Sequence, residues 1–266
     1  MQKHYFPIFI LLLTPASASE LDLGLGITSI SYPDYLGSDH QNSLTLPYPY
    51  ISYKSDTLEI DSSGLNKDIF SIDNFRIKLS FGGSIPVQGS KIREGMPDLD
   101  PSGQLGPSLL YTFYKKNGFL LEMNLPIRAV VSTDFKGIDY RGYVYEASVS
   151  MEYENEQGYH FDFSTGAVWG DSRYLNYVYG VPKSMATTTR NAYEAEAGYL
   201  GFRTSLGFAK KFDKFWLGAF LQNYNLNNSS IDGSPFLREK SALYGGFALS
   251  YLFDKSVSNQ VKEWIE

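Results

Sequence analysis

The stretch RGYVYEASVSMEY, residues 141–153, decides the fold. Tyr143, Tyr145, Ala147, Val149, Met151 and Tyr153 take every second position in it. A strand sends alternate side chains to opposite faces, so these residues share one apolar face. Glu146, Ser148, Ser150 and Glu152 fall on the other. The same rhythm runs through ELDLGLGIT (20–28), FRIKLSF (75–81) and FLLEMNLPI (119–127), whose polar positions include Arg76, Lys78, Glu122 and Asn124. In a soluble sandwich the polar face would be the solvated outside. In a membrane barrel it would line the lumen, and the apolar face would meet lipid.

Connection lengths separate these two readings. Short polar turns at YKSDT, SIDNF, YKKNG, ENEQG and KKFDK alternate with longer segments near 32–43, 63–66, 86–104, 132–138, 171–192 and 227–239. Short turns on one edge and mostly long loops on the other are the pattern of an outer-membrane barrel with periplasmic turns and extracellular loops. The spacing predicts strands near 20–31, 44–53, 56–62, 66–72, 75–85, 105–115, 118–131, 140–154, 158–169, 193–210, 214–226 and 240–253. The expectation is therefore an all-β fold, a closed antiparallel transmembrane β-barrel of about 12 strands. Trp169 and Trp216, near opposite strand ends, are expected in interfacial aromatic girdles.

Composition narrows the compartment and the partners. The first 18 residues carry Lys3, an apolar run from Phe6 to Leu13 and the small-residue site Ala16-Ser17-Ala18, the form of a secretory signal peptide cut after Ala18. That run is too short to span a bilayer, and no transmembrane helix is expected. The chain has no cysteine, so disulfides contribute nothing to its stability. Its net charge of −6 argues against nucleic acid as a partner. Outer-membrane lipid is the partner that the strand pattern implies.

Few residues invite chemistry. His160, Asp162 and Ser164 share one face of a predicted strand, but residues two apart along a strand stand about 7 Å apart, too far for a proton relay. Glu94, Asp98 and Asp100, and Asp34 with Asp39 near His40, are oxygen-rich loop positions without the full ligand set of a calcium loop. Turn chemistry accounts for them, and no catalytic, cofactor or metal site is expected. On the polar face Arg76, Lys78, Arg128 and Arg203 stand against Glu122, Glu146, Glu152 and Asp162. Opposite signs in one interior imply mutual pairing, a lumen charge network that fills the lumen rather than leaving a wide pore.

The last strand, LYGGFALSYLF, ends on Phe253, yet the chain continues. Val257, Val261, Trp264 and Ile265 recur at helical spacing, which predicts a short amphipathic tail over 254–266, periplasmic and available to a partner. The expected organisation is a signal peptide over 1–18, a barrel over 19–253 and this tail.

Several stretches together resemble the MipA/OmpV family of Gram-negative outer-membrane proteins, whose best-known member is the MltA-interacting protein. They are GITSISYPDYLGSDHQNSLTLPYPYISY with Tyr35, Gly37, Ser38, Pro47 and Pro49; GMPDLDPSGQLGPSL with Gly95, Asp98, Asp100, Gly106 and Pro107; YVYGVPKSMATTTRNAYEAEAGYLG with Tyr179, Gly180, Val181, Tyr193 and Gly198; and IDGSPFLREKSALYGGFALSYLF with Ser234, Pro235 and Phe253. The resemblance implies a non-enzymatic, cofactor-free scaffold in the outer membrane, reached by Sec-type export. In the best-known member it links a lytic transglycosylase, a murein hydrolase, with a penicillin-binding protein in peptidoglycan synthesis. A small-solute channel or an adhesin is the alternative.

Overall fold

The computed structural model describes residues 20–54, 59–61, 64–66 and 68–255. The expected signal peptide over 1–18 and the tail residues Val257, Val261, Trp264 and Ile265 lie outside them. The elements are β1 (Glu20–Pro33), β2 (Gln41–Lys54), β3 (Glu59–Asp61), β4 (Gly64–Asn66), β5 (Asp68–Ile72), β6 (Phe75–Ser84), β7 (Ser102–Lys116), β8 (Phe119–Thr133), β9 (Ile138–Glu154), β10 (Tyr159–Gly170), α1 (Ser172–Tyr179), β11 (Gly198–Lys211), β12 (Phe215–Asn225) and β13 (Ser241–Leu252). Among the described residues no helix is long and apolar enough to cross a membrane.

All the strands join one antiparallel sheet in the order β4-β3-β2-β1-β13-β12-β11-β10-β9-β8-β7-β6-β5. The first long strand therefore pairs with the last, Gly24 opposite Leu252 and Ser31 opposite Gly245. The two edges, β4 and β5, are neighbours in the chain, and no pairing joins them among the described residues. Above Tyr53, β2 has β1 as its only described partner. Pro47 and Pro49 lie on this part of β2, and a free edge tolerates residues without an N–H.

Eleven of the strands are five residues or longer, and two differences from the sequence reading have local causes. The strand expected over 56–62 shortens to β3, because Asp61 pairs with Gly64, and the short β4 occupies most of the connection expected over 63–66. The strand expected over 193–210 begins only at Gly198, because Tyr193 bridges Val181 in the preceding loop instead. Elsewhere turn chemistry holds the register: Asn117 and Gly118 both have positive φ (53° and 76°), the two-residue turn that matches strand twist, and Lys116 pairs with Phe119 across it.

The sheet wears its apolar side outward. Leu25 is 56% exposed and Phe247 53%, and Phe81, Leu105, Phe161, Leu206 and Leu249 are exposed in the same way. Side chains of β6 and β11, five strands apart in the sheet, line a single cavity, so the sheet curves with its polar face inside.

Trp216 departs from its expected place. It is only 7% exposed and belongs to a buried cluster with Tyr50, Ala248 and Leu252, its ring 5.9 Å from that of Tyr48 and 5.2 Å from that of Tyr50. The indole lies over Gly218, where an added Cβ would fall 2.1 Å from it. The parity of β12 explains the correction: the indole has the same parity as Gly218, Gln222 and Tyr224, on the face opposite Phe215 and Leu217. Trp169 instead packs edge-on against Tyr199. Trp216→Ala should lower the unfolding free energy by about 3–5 kcal/mol, and Trp169→Ala by less, in equilibrium denaturation of the detergent-solubilised protein.

Candidate functional site

The polar face holds two ion-paired groups. Arg76 of β6 pairs with Glu122 of β8, whose Oε1 also accepts from Thr112 Oγ1 at 2.6 Å. Arg76 also lies 3.7 Å from Asp68. On the neighbouring strand β9, Glu146 sits between two arginines, accepting from Arg128 Nη2 at 3.1 Å and from Arg203 through Nε at 3.1 Å and Nη2. Arg128 spends its remaining donors on Gln104 (3.2 Å) and Ser80 (3.1 Å), and Arg203 on Ser164 (3.2 Å) and Gln222 (3.4 Å). Glu122 and Glu146 are both buried, and a carboxylate removed from water needs such partners.

Four other charged or titratable residues of this face behave differently. Lys78, Glu152, His160 and Asp162 make no hydrogen bond or ion pair among the described residues, although Lys78, Glu152 and Asp162 line one cavity of about 300 Å³. Serines 80, 108, 148, 150 and 164, with Asn124, Glu122 and Arg203, complete most of its polar wall. Register places Asp162 directly opposite Glu152. His160 makes no bond to Asp162, and Ser164 is engaged by Arg203, so the three residues do not form a relay.

The long loops fold into a cap rather than hanging free. Asp171 accepts from Tyr174 N–H at 2.8 Å and so starts α1, a helix inside the expected loop 171–192. Leu175, Val178 and Tyr179, at i, i+3 and i+4, form its buried stripe. They pack with Val181 of the same loop, with Tyr35, Val87, Leu99, Ile231 and Phe236 from the other loops, and with Val130, Val144, Val168 and Leu200 at the loop ends of β8 to β11. Two arginines tie the loops together. Arg93 donates to Val178 O at 2.7 Å and lies 4.7 Å over the Phe236 ring; Arg190 donates to Ile92 O, Glu94 O and Met185 O. Burial pushes the Tyr35 and Tyr179 phenols above their ordinary pKa, and the buried Tyr35 hydroxyl has no hydrogen-bond partner among the described residues.

The motif residues of Tyr35, Gly37, Tyr179, Val181, Tyr193 and Ser234 meet in this cap. Tyr179 Oη donates to Leu36 O (2.9 Å), Ser234 Oγ to Tyr179 O (2.8 Å) and Tyr193 Oη to Ser230 O (3.0 Å), while Gly37 O accepts from Arg238 and Glu239 N–H. Arg93 and Arg190 were not singled out from the sequence, since a loop carries no periodicity that would mark them. Asp34 is occupied by His40 (3.1 Å) and Asn42 (2.7 Å), Asp98 by Gly89 N–H (3.3 Å), and no group of three His, Cys, Asp or Glu among the described residues could hold a metal ion. On the turn side, Asp22 of β1 accepts from Lys211 and, at 2.6 Å, from Lys255, which ties the chain beyond β13 to the first strand. The shared carboxylate of Glu146 makes a direct test: Glu146→Gln leaves two arginines around a neutral amide and should cost about 3–5 kcal/mol, read as an earlier denaturation midpoint.

A search of curated proteins finds no match. Solved structures of similar outline include an outer membrane channel from Pseudomonas putida F1 (11% identity, 94% of this chain and 100% of that one, TM-score 0.44), the NanC porin (8%, 87% and 99%, 0.39) and OmpT of Vibrio cholerae (10%, 90% and 99%, 0.37). A family model described as MltA-interacting protein MipA matches residues 23–253, nearly the whole described sheet and its cap. The chain therefore belongs to the MipA family.

Proposed function

We propose that this chain is a non-enzymatic outer-membrane barrel that acts as a scaffold for the peptidoglycan-synthesis machinery, bringing a lytic transglycosylase and a penicillin-binding protein to the membrane. The observation that carries this reading is family membership over residues 23–253, under a description that names an interaction with MltA. The apolar outer face supports the membrane placement, because side chains such as Leu25 and Phe247, half exposed on an outward face, would be an aggregation surface in water and are suited to lipid. In hydrocarbon an unpaired strand edge costs several kcal/mol per backbone group, so on this reading the sheet closes through the segment between β2 and β5. Residues 1–18 direct Sec-type export to the Gram-negative envelope, the short turns face the periplasm, and the cap lies outside.

A loop cap with a shared apolar core favours a filled end over a wide pore. The cavity of about 300 Å³ on the polar face favours the second reading, a small-solute channel. Planar-bilayer recordings separate them: stable single-channel steps from the pure protein would exclude the scaffold with a filled lumen, and their absence is expected. Cross-linked envelopes should yield a lytic transglycosylase on affinity capture of this chain; capture of neither murein hydrolase nor penicillin-binding protein would overturn the scaffold. Residues 254–266, with Val257, Val261, Trp264 and Ile265 as one apolar stripe, are the proposed periplasmic contact. Deleting 256–266 should leave membrane assembly intact and weaken the capture, since the described strand end is already held by Lys255 on Asp22.

A further inference from the structure

We propose that the cavity on the polar face is a binding site for a zwitterionic solute of amino-acid or dipeptide size, with Lys78 receiving its carboxylate and Glu152 and Asp162 its ammonium. This goes beyond the scaffold reading and rests only on the geometry of the polar face.

The charges of that face divide into two sets. Arg76, Glu122, Arg128, Glu146 and Arg203 are engaged in mutual ion pairs and in bonds to Ser80, Gln104, Thr112, Ser164 and Gln222. Lys78, Glu152 and Asp162 line the same cavity and are used in none. Glu152 and Asp162 stand directly opposite each other on β9 and β10, an arrangement of like charges that destabilises a sheet, and only the more distant His160, Lys78 and Arg203 offset it, without a hydrogen bond or ion pair to either carboxylate. The backbone nevertheless makes room for one of them. A Cβ at Gly207, the partner of Asp162 on β11, would fall 1.9 Å from Asp162 Oδ2, so the carboxylate occupies the space that any larger residue at 207 would fill.

The identity of the ligand follows from what these groups would leave unsatisfied. A simple cation would sit with Lys78 in its own cavity, and no metal-competent group of three ligands exists among the described residues. A simple anion would face two carboxylates. A neutral sugar would leave all three charges desolvated without a counter-charge. A molecule with an ammonium at one end and a carboxylate at the other satisfies both sides, and the Ser108, Ser148 and Ser150 hydroxyls with the Asn124 amide offer partners to an amide between them. The volume, about 300 Å³, stands at the small end of ligand sites, which run from roughly 300 to 1,000 Å³. The loop core covers the cap end of β8 to β11.

Calorimetric titration of the detergent-solubilised full chain tests this without any variant. L-alanyl-L-alanine should bind, and its N-acetyl and C-terminal amide forms should each bind more weakly by about tenfold to a hundredfold, the worth of one charge-assisted contact. Lys78→Met should weaken the free dipeptide by the same factor and leave the amide form unchanged. Gly207→Ala, which displaces the Asp162 carboxylate, and the pair Glu152→Gln with Asp162→Asn should weaken the free dipeptide and leave the N-acetyl form unchanged. No binding of the free dipeptide, or equal binding of free and capped forms to the unaltered protein, would overturn the proposal.

Discussion

The constraint behind this molecule is that its apolar side chains face outward. A soluble domain neutralises its interior by filling it with Leu, Val and Phe; here those residues are outside, as Leu25, Phe161, Leu206 and Phe247 show, and the inside of the curved sheet is left to charges. Buried charges persist only with partners, and the Glu146 carboxylate held between Arg128 and Arg203 meets that need with side chains from β8, β9 and β11 at once. Arg76 and Glu122 do the same between β6 and β8. The interior is thus held by directional bonds rather than by packing alone.

Apolar packing has not vanished; it has moved to the ends. At the loop end a hydrophobic core forms from α1 and the connecting segments, resting on Val130, Val144, Val168 and Leu200 where those strands emerge. On the side of β1, β2, β12 and β13, Trp216, Tyr48 and Tyr50 form an aromatic cluster that faces inward. Between them lies the polar cavity, whose Lys78, Glu152 and Asp162 make no hydrogen bond or ion pair among the described residues. Satisfied and unsatisfied charges share that cavity, with Glu122 and Arg203 lining it beside Lys78, Glu152 and Asp162.

Most of the sheet was legible in the sequence because a period of two survives any change in the surroundings: residues 141–153 alternate in the chain and alternate in β9. What alternation cannot tell is which face a lone aromatic serves, so Trp216 was assigned outward while its own parity with Gly218, Gln222 and Tyr224 held the answer. The segment between β2 and β5 misled as well, because the pairing of Asp61 with Gly64 puts the short β4 where turn formers point to a connection. The charged residues of the polar face could be named in advance, but which of them pair depends on register across several strands, and register is a property of the whole sheet. The cap was the least legible part. Its motif residues are turn formers, and the arginines that bind the loops together, Arg93 and Arg190, act through backbone carbonyls far away in the chain.

The pairing of β1 with β13 also sets the order in time. Thr28 Oγ1 donates to Phe247 O across 219 residues, and Lys255 reaches back to Asp22 across 233. Hairpins such as β7–β8 have only a two-residue turn to close and form early. The first strand has no neighbour on its β13 side until the last strand has been delivered. Until then β1 carries an unpaired edge, so the period between export of the first and last strands is when this chain most needs a chaperone.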